Sequence, residues 1–540
     1  MRVAAALAAL ATIALAACGG SRASNTATTP PPAGPHTFVD LVGELPNNLD
    51  ETGTPSPAST AIVPSWESEL VRPAAARPGP NAVLPGDNAV VPYLATTWQR
   101  LANGDYVFGL RRQAYGVTGD AFTAADVQWS IARAAARSPL APFLFSLAHI
   151  DAAHPVTILG PHRVRINVTA PSPFTLSVLA SPDLAIYDSR VYRAHASAGD
   201  PWAQQWGSTH SASYAAYYVA QYLPRAEIVL GANPGFWRSP YYTTVLIKQV
   251  VASDDRLTAV TNGSATHTSN LAWSDFATAV NADQSQGVSA TVLQDGPAVL
   301  AWHLNVSHGP LSKPLVRQAL GLAFDRSVLS TGLAPVLASP TALTIPAAFG
   351  QRQPRHYDPA LARSLMRSAG YPHGFTIDVA TNDSVTNGNA VAVLGPLDVQ
   401  LYAQLAVTLH YVFVDNTDQL LALEAAHKVE SSLEVTTPLL GGPGFLVEQD
   451  ANTALDPVSP AAQEGYHNPT LQAALQQLLT SPPGAATSAL IGQAATILDT
   501  DEPTVYLVTE PVQNVTRSNV TGYRAYTQPV TYYENLHASG

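Results

Sequence analysis

The sequence predicts a mixed α/β protein, and two observations carry that prediction. Strand-like and helix-like segments alternate irregularly, and no internal repeat of the kind that builds solenoids or propellers is visible. With 540 residues, and roughly 100–200 residues per domain, two to four structural units are expected. A body of this size can bury a large core without disulfides, and its single cysteine, Cys18, can form none within the chain.

The amino terminus explains the single cysteine. After Met1 and Arg2, residues 3–17 are almost uninterrupted Ala, Leu, Ile and Val. This run is shorter than the roughly 20 residues that cross a bilayer, but it has the length of a secretory signal. It ends in Leu-Ala-Ala-Cys-Gly, which resembles the lipobox of bacterial lipoproteins. That resemblance implies a signal peptide at 1–17 and a lipid anchor on Cys18.

Residues 18–36 are rich in Gly, Ser, Thr and Pro and predict a flexible tether. Beyond them no stretch is apolar enough to cross a membrane, so we expect the rest of the chain outside the cytoplasm, held at the membrane by its lipid. Lys and Arg number 27 against 39 Asp and Glu, a formal charge of −12. This balance argues against a nucleic-acid partner, since such binding depends on basic patches.

Within the body, local signals predict several helices and strands. Thr123 with Asp126 predicts a capping box, and Asp358 with Gly370 predicts the start and end of another helix. Two more helices are predicted near 469–479 and 485–498, and 52–92, rich in Pro and Gly, is expected to be mostly loop. Strands are predicted at 163–169, 226–231, 244–251, 298–305, 375–381 and 504–509.

The order of six short motifs is more informative than any single one. The chain shows, in succession, L-A-T-T-W, F-G-L-R, G-D-A-F-T-A-A-D-V, N-P-G-F-W, V-R-Q-A with F-D-R, and Y-D-P with A-G-Y. This order resembles family 5 of the extracellular solute-binding proteins, the peptide and nickel receptors of ABC importers, over about residues 37–525. Most of these positions are expected to be structural.

The resemblance implies a periplasmic-binding-protein-like fold (type II, the large class with an extra domain), with two lobes, a hinge and an interlobe cleft. It implies crossings near 287–298 and 499–505, a bulky ligand such as a peptide, ABC permease and ATPase partners, and a monomer. The expected domains are a discontinuous domain I (37–65, 190–287 and 505–540), domain II (66–189) and domain III (288–504).

The ligand is less well specified, because the chain departs from the family at two binding segments. Peptide receptors of the family anchor the ligand's ammonium with an aspartate, but 432–442 contains none; Glu434 or Glu430 is the candidate substitute. A glycine-rich segment of the family is replaced by one with Tyr214 and Tyr217, which either contact the ligand or fill the core. The further candidates at the expected cleft are Glu44, Asn47, Asn382, Asp383, Asn387, Asn389 and Thr436.

Two functions therefore stay open: an importer receptor for oligopeptides, and a receptor-fold lipoprotein that binds a glycolipid or mannoside headgroup in envelope assembly. We expect no cofactor and no metal, since the nearest histidine pairs, including His303 and His308, are five residues apart without a companion ligand. We also expect no enzyme, since the nucleophile elbow, zinc-protease and phosphate-loop motifs are missing from the sequence.

Overall fold

A large mixed sheet of 11 strands organises the computed structural model of this protein. Residues 36–540 form one compact unit. The structure describes residues 36–50, 61–76, 89–282, 286–329, 339–340, 356–382, 388–414, 417–436, 440, 443–453, 464–481, 484–526 and 530–539. The predicted signal peptide and most of the tether, Cys18 included, lie outside these ranges, as do Asp383 and Asn387.

The strands come from the whole length of the described body. They are β1 (Thr37–Val42), β2 (Val71–Pro73), β3 (Val90–Pro92), β4 (Ala95–Arg100), β5 (Tyr106–Leu110), β6 (Val156–Gly160), β7 (Arg163–Ile166), β8 (Tyr217–Leu223), β9 (Glu227–Ala232), β10 (Thr244–Gln249), β11 (His267–Thr268), β12 (Val288–Leu304), β13 (Ser339–Pro340), β14 (Thr376–Asn382), β15 (Thr408–Val414), β16 (Ser431–Thr436), β17 (Thr504–Arg517), β18 (Val520–Thr521) and β19 (His537–Ala538).

Helices lie between most of these strands. They are α1 (Ala124–Arg137), α2 (Ala141–Ala148), α3 (Thr175–Val178), α4 (Ser189–His195), α5 (Gln204–Gly207), α6 (Ser253–Thr261), α7 (Trp273–Ala282), α8 (Pro314–Ala323), α9 (Pro359–Ala369), α10 (Gly388–Leu405), α11 (Thr417–Ala425), α12 (Pro443–Ala451), α13 (Pro469–Thr480) and α14 (Ala485–Asp501). In the part of the chain that the structure describes, no helix is long and apolar enough to cross a membrane.

The large sheet runs in the order β15-β14-β16-β12-β17-β11-β1-β10-β9-β8, and β13 pairs with β17. Its two central strands, β12 and β17, are antiparallel and pair from Val288 with Arg517 to His303 with Thr504. The pairing shifts register between Leu293 and Ala298. We call this irregularity, which lies opposite residues 510–512, the strand break.

The strand break divides the large sheet into two parts. The first half-sheet holds β8, β9, β10, β1 and β11 with the pairing of 288–293 and 512–517. The second half-sheet holds β16, β14 and β15 with the pairing of 298–304 and 504–510. Because β12 and β17 belong to both parts, they are the two continuous connections between the half-sheets.

A separate four-stranded sheet, β4-β5-β7-β6, lies in the predicted domain II. The helices α1 and α2 pack with it into a core that includes Phe108, Val127 and Leu144, all fully buried. A second core, around Trp302 and Leu320, lies between the second half-sheet and helices α8, α9 and α10. The buried hydrophobic residues of these elements therefore pack between the sheets and the helices.

The local signals read from the sequence are confirmed where the structure describes them. The Thr123 amide donates to the Asp126 carboxylate at 2.8 Å, which closes the predicted capping box. Asp358 caps α9 by accepting from the Leu361 amide at 2.9 Å, and Gly370 ends it with a left-handed φ of +89°. All six predicted strands are present, while β2 and β3 are short strands within the segment expected to be mostly loop.

Candidate functional site

The carboxyl ends of the parallel strands face the strand break from both half-sheets. In the first half-sheet β1 runs parallel to β10 and β11, and Thr268 at the end of β11 pairs with Val515. In the second half-sheet β14 runs parallel to β15 and β16, and Thr436 at the end of β16 pairs with Val299. Ligands of open α/β sheets bind outside the carboxyl ends of the strands, so the candidate site lies at this edge.

The loop after β1 forms one side of the candidate site. Glu44 and Asn47, both predicted to edge the cleft, are exposed on this loop. The Tyr222 hydroxyl donates to the Pro46 carbonyl at 2.7 Å and fixes the loop against β8. The Thr268 hydroxyl donates to the Leu41 carbonyl at 2.9 Å and holds the end of β1 in place.

Tyr214 and Tyr217 belong to the core, so the structure does not support their prediction as ligand contacts. Tyr214 is fully buried, its ring lies 5.1 Å from that of Phe122, and its hydroxyl accepts from Arg190 at 3.3 Å. Tyr217 is 1% exposed and donates to the Tyr242 carbonyl at 2.9 Å. Both rings fill space between elements far apart in sequence, which is the core alternative left open by the sequence.

On the other side of the site, the structure brings Asn382 and Glu434 to corresponding positions of neighbouring strands. Ala380 pairs with Ser432, and two residues further β14 ends at Asn382, which is buried. The Glu434 side chain keeps 16% of its surface exposed. Thr436 ends β16 and Asn389 lies in the first turn of α10. The structure does not describe the side chains of Thr436 and Asn389.

Glu434 belongs to a group of ionisable side chains around His303, which we call the carboxylate cluster: His303, Glu424, Glu434 and Glu464. The His303 Nδ1 atom lies 2.9 Å from Glu464 Oε1, and its Nε2 atom lies 3.6 Å from Glu434 Oε1. Thr504 donates to Glu464 at 2.8 Å. His303 is 5% exposed, so these charges interact with little screening by water.

The pKa values of the carboxylate cluster are raised because its side chains are buried close to one another. Burial raises the pKa of Glu434 to about 7; the negative charge of Glu424 adds to the rise, and His303 opposes it. Burial raises the pKa of Glu424 as well. Burial alone would lower the pKa of His303, but the hydrogen bond with Glu464 and the surrounding carboxylates raise it to about 9.

His303, Glu424 and Glu464 were not among the site residues predicted from the sequence. His303 stood out there only as half of a histidine pair, because its partner Glu464 is 161 residues away. One feature of the sequence indicated this site: His303 interrupts the otherwise apolar strand 298–304. It lies on the same face of the strand as Ala301, which pairs with Glu434. A charged group on the inner face of a central strand requires a partner.

Glu430, the second candidate for the ammonium anchor, has a structural role. Its carboxylate accepts the Asp378 amide at 3.0 Å, and its carbonyl accepts the Asn305 amide at 2.9 Å. These bonds join the turn before β16 to β14 and to Asn305, which directly follows β12. Of the described residues, no group of three or more His, Cys, Asp and Glu side chains has an arrangement that could hold a metal ion.

Comparison with known proteins decides the family. Residues 89–405 match the profile of the bacterial extracellular solute-binding proteins, family 5 Middle. The chain is a family 5 solute-binding protein. Members of this family are non-enzymatic, extracytoplasmic receptors of ABC importers.

Curated relatives of this family 5 protein include glutathione-binding proteins named GsiB. The protein from Pectobacterium atrosepticum is 26% identical over 318 residues, which are 55% of this chain and 58% of the relative's length. The protein from Salmonella typhimurium is 23% identical over 381 residues, 68% of this chain and 70% of the relative's length. The chain thus spans less than two thirds of the first of these relatives.

Solved structures share the fold over nearly the whole length. Helicobacter pylori DppA, solved in complex with the peptide STSA, superposes with a TM-score of 0.77 at 18% identity, over 93% of this chain and 98% of that chain. The murein tripeptide-binding protein MppA from Escherichia coli gives 0.74 at 17% identity, over 93% and 98%. At these identities the superpositions establish the type II binding-protein fold of this family 5 protein.

Proposed function

We propose that this protein is a lipid-anchored, extracytoplasmic substrate-binding protein of an ABC importer that captures oligopeptides in a closing cleft at the strand break. The observation that carries the proposal is the half-buried Glu434 carboxylate, placed by β16 at the carboxyl edge of the parallel strands. It stands in the segment where peptide receptors of the family carry their anchoring aspartate.

The charge of the carboxylate cluster suits a peptide ammonium. When Glu434 and Glu464 are both ionised, their two negative charges exceed the single positive charge of protonated His303, so the cluster carries an excess of negative charge. An ammonium group buried without a counter-charge costs several kcal/mol, and Glu434 supplies one at a partly exposed position. A free carboxylate of a ligand would be repelled from the same position.

Relatives support the peptide class. A structural relative was solved with the peptide STSA, another is named for murein tripeptide, and the curated relatives are named for glutathione. Along this chain, Glu44 and Asn47 are exposed on the opposite side of the proposed cleft. Ligand contacts from both sides would favour the closed form by population shift.

The hinge of this closure is proposed at the strand break. The break lies between Leu293 and Ala298 on β12, within the first predicted crossing, and opposite 510–512 on β17. We propose 510–512 as the second crossing; the predicted crossing at 499–505 lies where α14 ends and β17 begins. A loss of regular pairing concentrates bending at these residues, because no ladder hydrogen bonds resist it there.

Anchoring through Cys18 is the remaining part of the proposal. It is supported by the lipobox-like sequence and by the absence of any other cysteine in the chain. We expect palmitate label to be incorporated into the full-length protein in its host, and a Cys18→Ser variant to take up none and to leave the membrane fraction. Label in the variant, or an unlabelled wild type, would contradict the anchor without affecting the ligand proposal.

The ligand proposal is tested by titrating the purified protein, without its predicted signal peptide and lipid anchor, with a peptide pool and following tryptophan fluorescence. We expect a saturable change with free-amine peptides and a weaker one with the same peptides N-acetylated. A response to a mannoside lipid, with none to any peptide, would instead establish the envelope-assembly alternative. Equal binding of free and acetylated peptides would exclude the ammonium contact at Glu434.

A further inference from the structure

His303 lies between two carboxylates of the second half-sheet, and this position bears on the ammonium contact of the proposed function, on which the inference below rests. Ala301 of β12 pairs with Glu434 of β16, and His303 follows two residues later on the same face of β12. Its Nδ1 atom lies 2.9 Å from Glu464 Oε1, and its Nε2 atom lies 3.6 Å from Glu434 Oε1. Each ring nitrogen therefore faces a different carboxylate.

Glu464 and Thr504 hold this imidazole in one orientation. The Thr504 hydroxyl donates to Glu464 Oε1 at 2.8 Å and lies 3.3 Å from His303 Nδ1. The backbone carbonyl of Glu464 accepts the Val306 amide at 2.7 Å, which fixes this residue beside the end of β12. Since an ionised carboxylate only accepts hydrogen bonds, Nδ1 donates to Glu464. The second carboxylate, at Nε2, favours a proton on that nitrogen too, so the ring is an imidazolium.

The imidazolium faces one of the two oxygens of Glu434. Among the described residues, no group donates a hydrogen bond to the other oxygen, Oε2, and the side chain keeps 16% of its surface exposed. Glu424 lies nearby as well, but its carboxylate bonds Ser432 and acts on Glu434 only through its charge. A cationic group of a ligand at this position therefore meets a single carboxylate oxygen.

The two kinds of cation that a peptide carries place different demands on a carboxylate. A guanidinium is a planar fork, and its strongest pairing uses both oxygens of one carboxylate. An ammonium is a compact point charge that needs only one oxygen. We propose that His303, held by Glu464, is the specificity-determining residue of this site: by engaging Glu434 Oε1, it favours a primary ammonium of the ligand over a guanidinium.

The test compares a peptide that has a free amino terminus and no lysine or arginine with the same peptide whose amine is converted to a guanidine. Both are titrated calorimetrically into the protein without its predicted signal peptide and lipid anchor. We expect the wild type to bind the free amine roughly tenfold more tightly, because the guanidinium finds one oxygen where its fork uses two. Equal affinity for the two peptides would overturn the specificity inference alone. No binding of either peptide would overturn the proposed function, and this inference with it.

Two variants at His303 separate its two contacts. The side-chain amide nitrogen of asparagine can take the place of Nδ1, and that of glutamine the place of Nε2. His303→Asn therefore keeps a donor towards Glu464 and releases Glu434 Oε1, whereas His303→Gln keeps a donor towards Glu434. Both variants remove the imidazolium charge, so a difference between them reports which oxygen is engaged. We expect the preference for the free amine to fall below about twofold in His303→Asn and to persist in His303→Gln.

A matched control is His154→Asn, at a histidine whose side chain is 83% exposed in the predicted domain II. It should keep the preference of the wild type. An undiminished preference in His303→Asn would show that another feature of the site rejects the guanidinium, and would overturn the proposal. Loss of the preference in both His303 variants would also overturn it, because the charge of the ring and not the engaged oxygen would then set the specificity.

Discussion

His303 Nε2 lies 3.6 Å from Glu434 Oε1, across the pair of strands β12 and β16. The same imidazole contacts Glu464 through its other nitrogen at 2.9 Å. A histidine with a carboxylate at each ring nitrogen is held in its protonated form, and it partly neutralises the carboxylate proposed to meet the ligand. The charge state of this pair therefore links ligand binding, stability and pH.

Ligand affinity should depend on the ionisation of Glu434, whose pKa is raised to about 7. As the pH falls from about 7.5 to about 6, a proton competes with the ligand ammonium for this carboxylate, so peptide affinity should fall several-fold. Calorimetric titration at both pH values measures this. Glu434→Gln should bind more weakly and with little pH dependence, whereas Asp255→Asn, an exposed control, should behave as the wild type. A pH-independent wild type would contradict the prediction.

His303 should contribute to stability in a defined pH window. Its folded-state pKa of about 9 exceeds the ordinary 6.5, so its stabilising effect is fully present below about pH 6.5 and is lost as the pH rises through 9. The raised pKa of Glu434 affects stability at lower pH: its contribution is lost as the pH rises from about 4.5 to about 7. Urea unfolding between about pH 7 and 9.5 should show a loss on the order of 2 kcal/mol in the wild type that is missing in His303→Gln. Parallel curves for the two proteins would refute this.

Phe143 and Phe445 join helices of the predicted domains II and III, with ring centroids 6.3 Å apart and planes at 62°. If these parts separate on opening, Phe143→Leu should shift the ligand-free protein towards the open form, because an edge-to-face pair contributes about 1 kcal/mol. We expect a larger radius of gyration by X-ray scattering and several-fold weaker peptide binding. Phe122→Leu, which affects the packing on Tyr214, should reduce stability without changing the radius.

Arg72 should be a major determinant of stability. Its guanidinium contacts the carboxylates of Glu69 and Glu534 and lies 3.5 Å from the ring centroid of Tyr93. Arg72→Met leaves two buried carboxylates without their partner, which typically costs about 3–5 kcal/mol. Urea denaturation should show this loss, while Arg163→Met, at an exposed arginine, should stay within about 0.5 kcal/mol of the wild type. A loss below about 1 kcal/mol for Arg72→Met would show that Glu69 and Glu534 tolerate the loss of Arg72.

Tyr222 should control the order of the loop that carries Glu44 and Asn47. Tyr222→Phe removes the hydrogen bond to the Pro46 carbonyl and keeps the ring, so we expect faster amide exchange in 43–48 and an unchanged core. The loss of one such bond corresponds to about 1 kcal/mol. Tyr241→Phe, at a tyrosine 39% exposed, is the matched control. Unchanged exchange in Tyr222→Phe would mean that other contacts fix the loop.

The sequence by itself determined the family, the α/β class and several of the strands and helices that the structure describes. These features depend on residues close together in the chain. Thr123 and Asp126 cap a helix three residues apart, and Gly370 ends one because only a residue tolerant of positive φ fits there. The order of the family motifs is likewise written along the chain and requires no knowledge of packing.

Only the tertiary structure decided which side chains are available to a ligand. Tyr214 and Tyr217 are polar-tipped aromatics that suit a cleft or a core equally well, and burial by distant elements places them in the core. Glu434 acquires its raised pKa from Glu424, His303 and burial, and His303 is 131 residues away in sequence (434 − 303). Desolvation and charge proximity depend on the three-dimensional arrangement of strands, so no local pattern could have specified them.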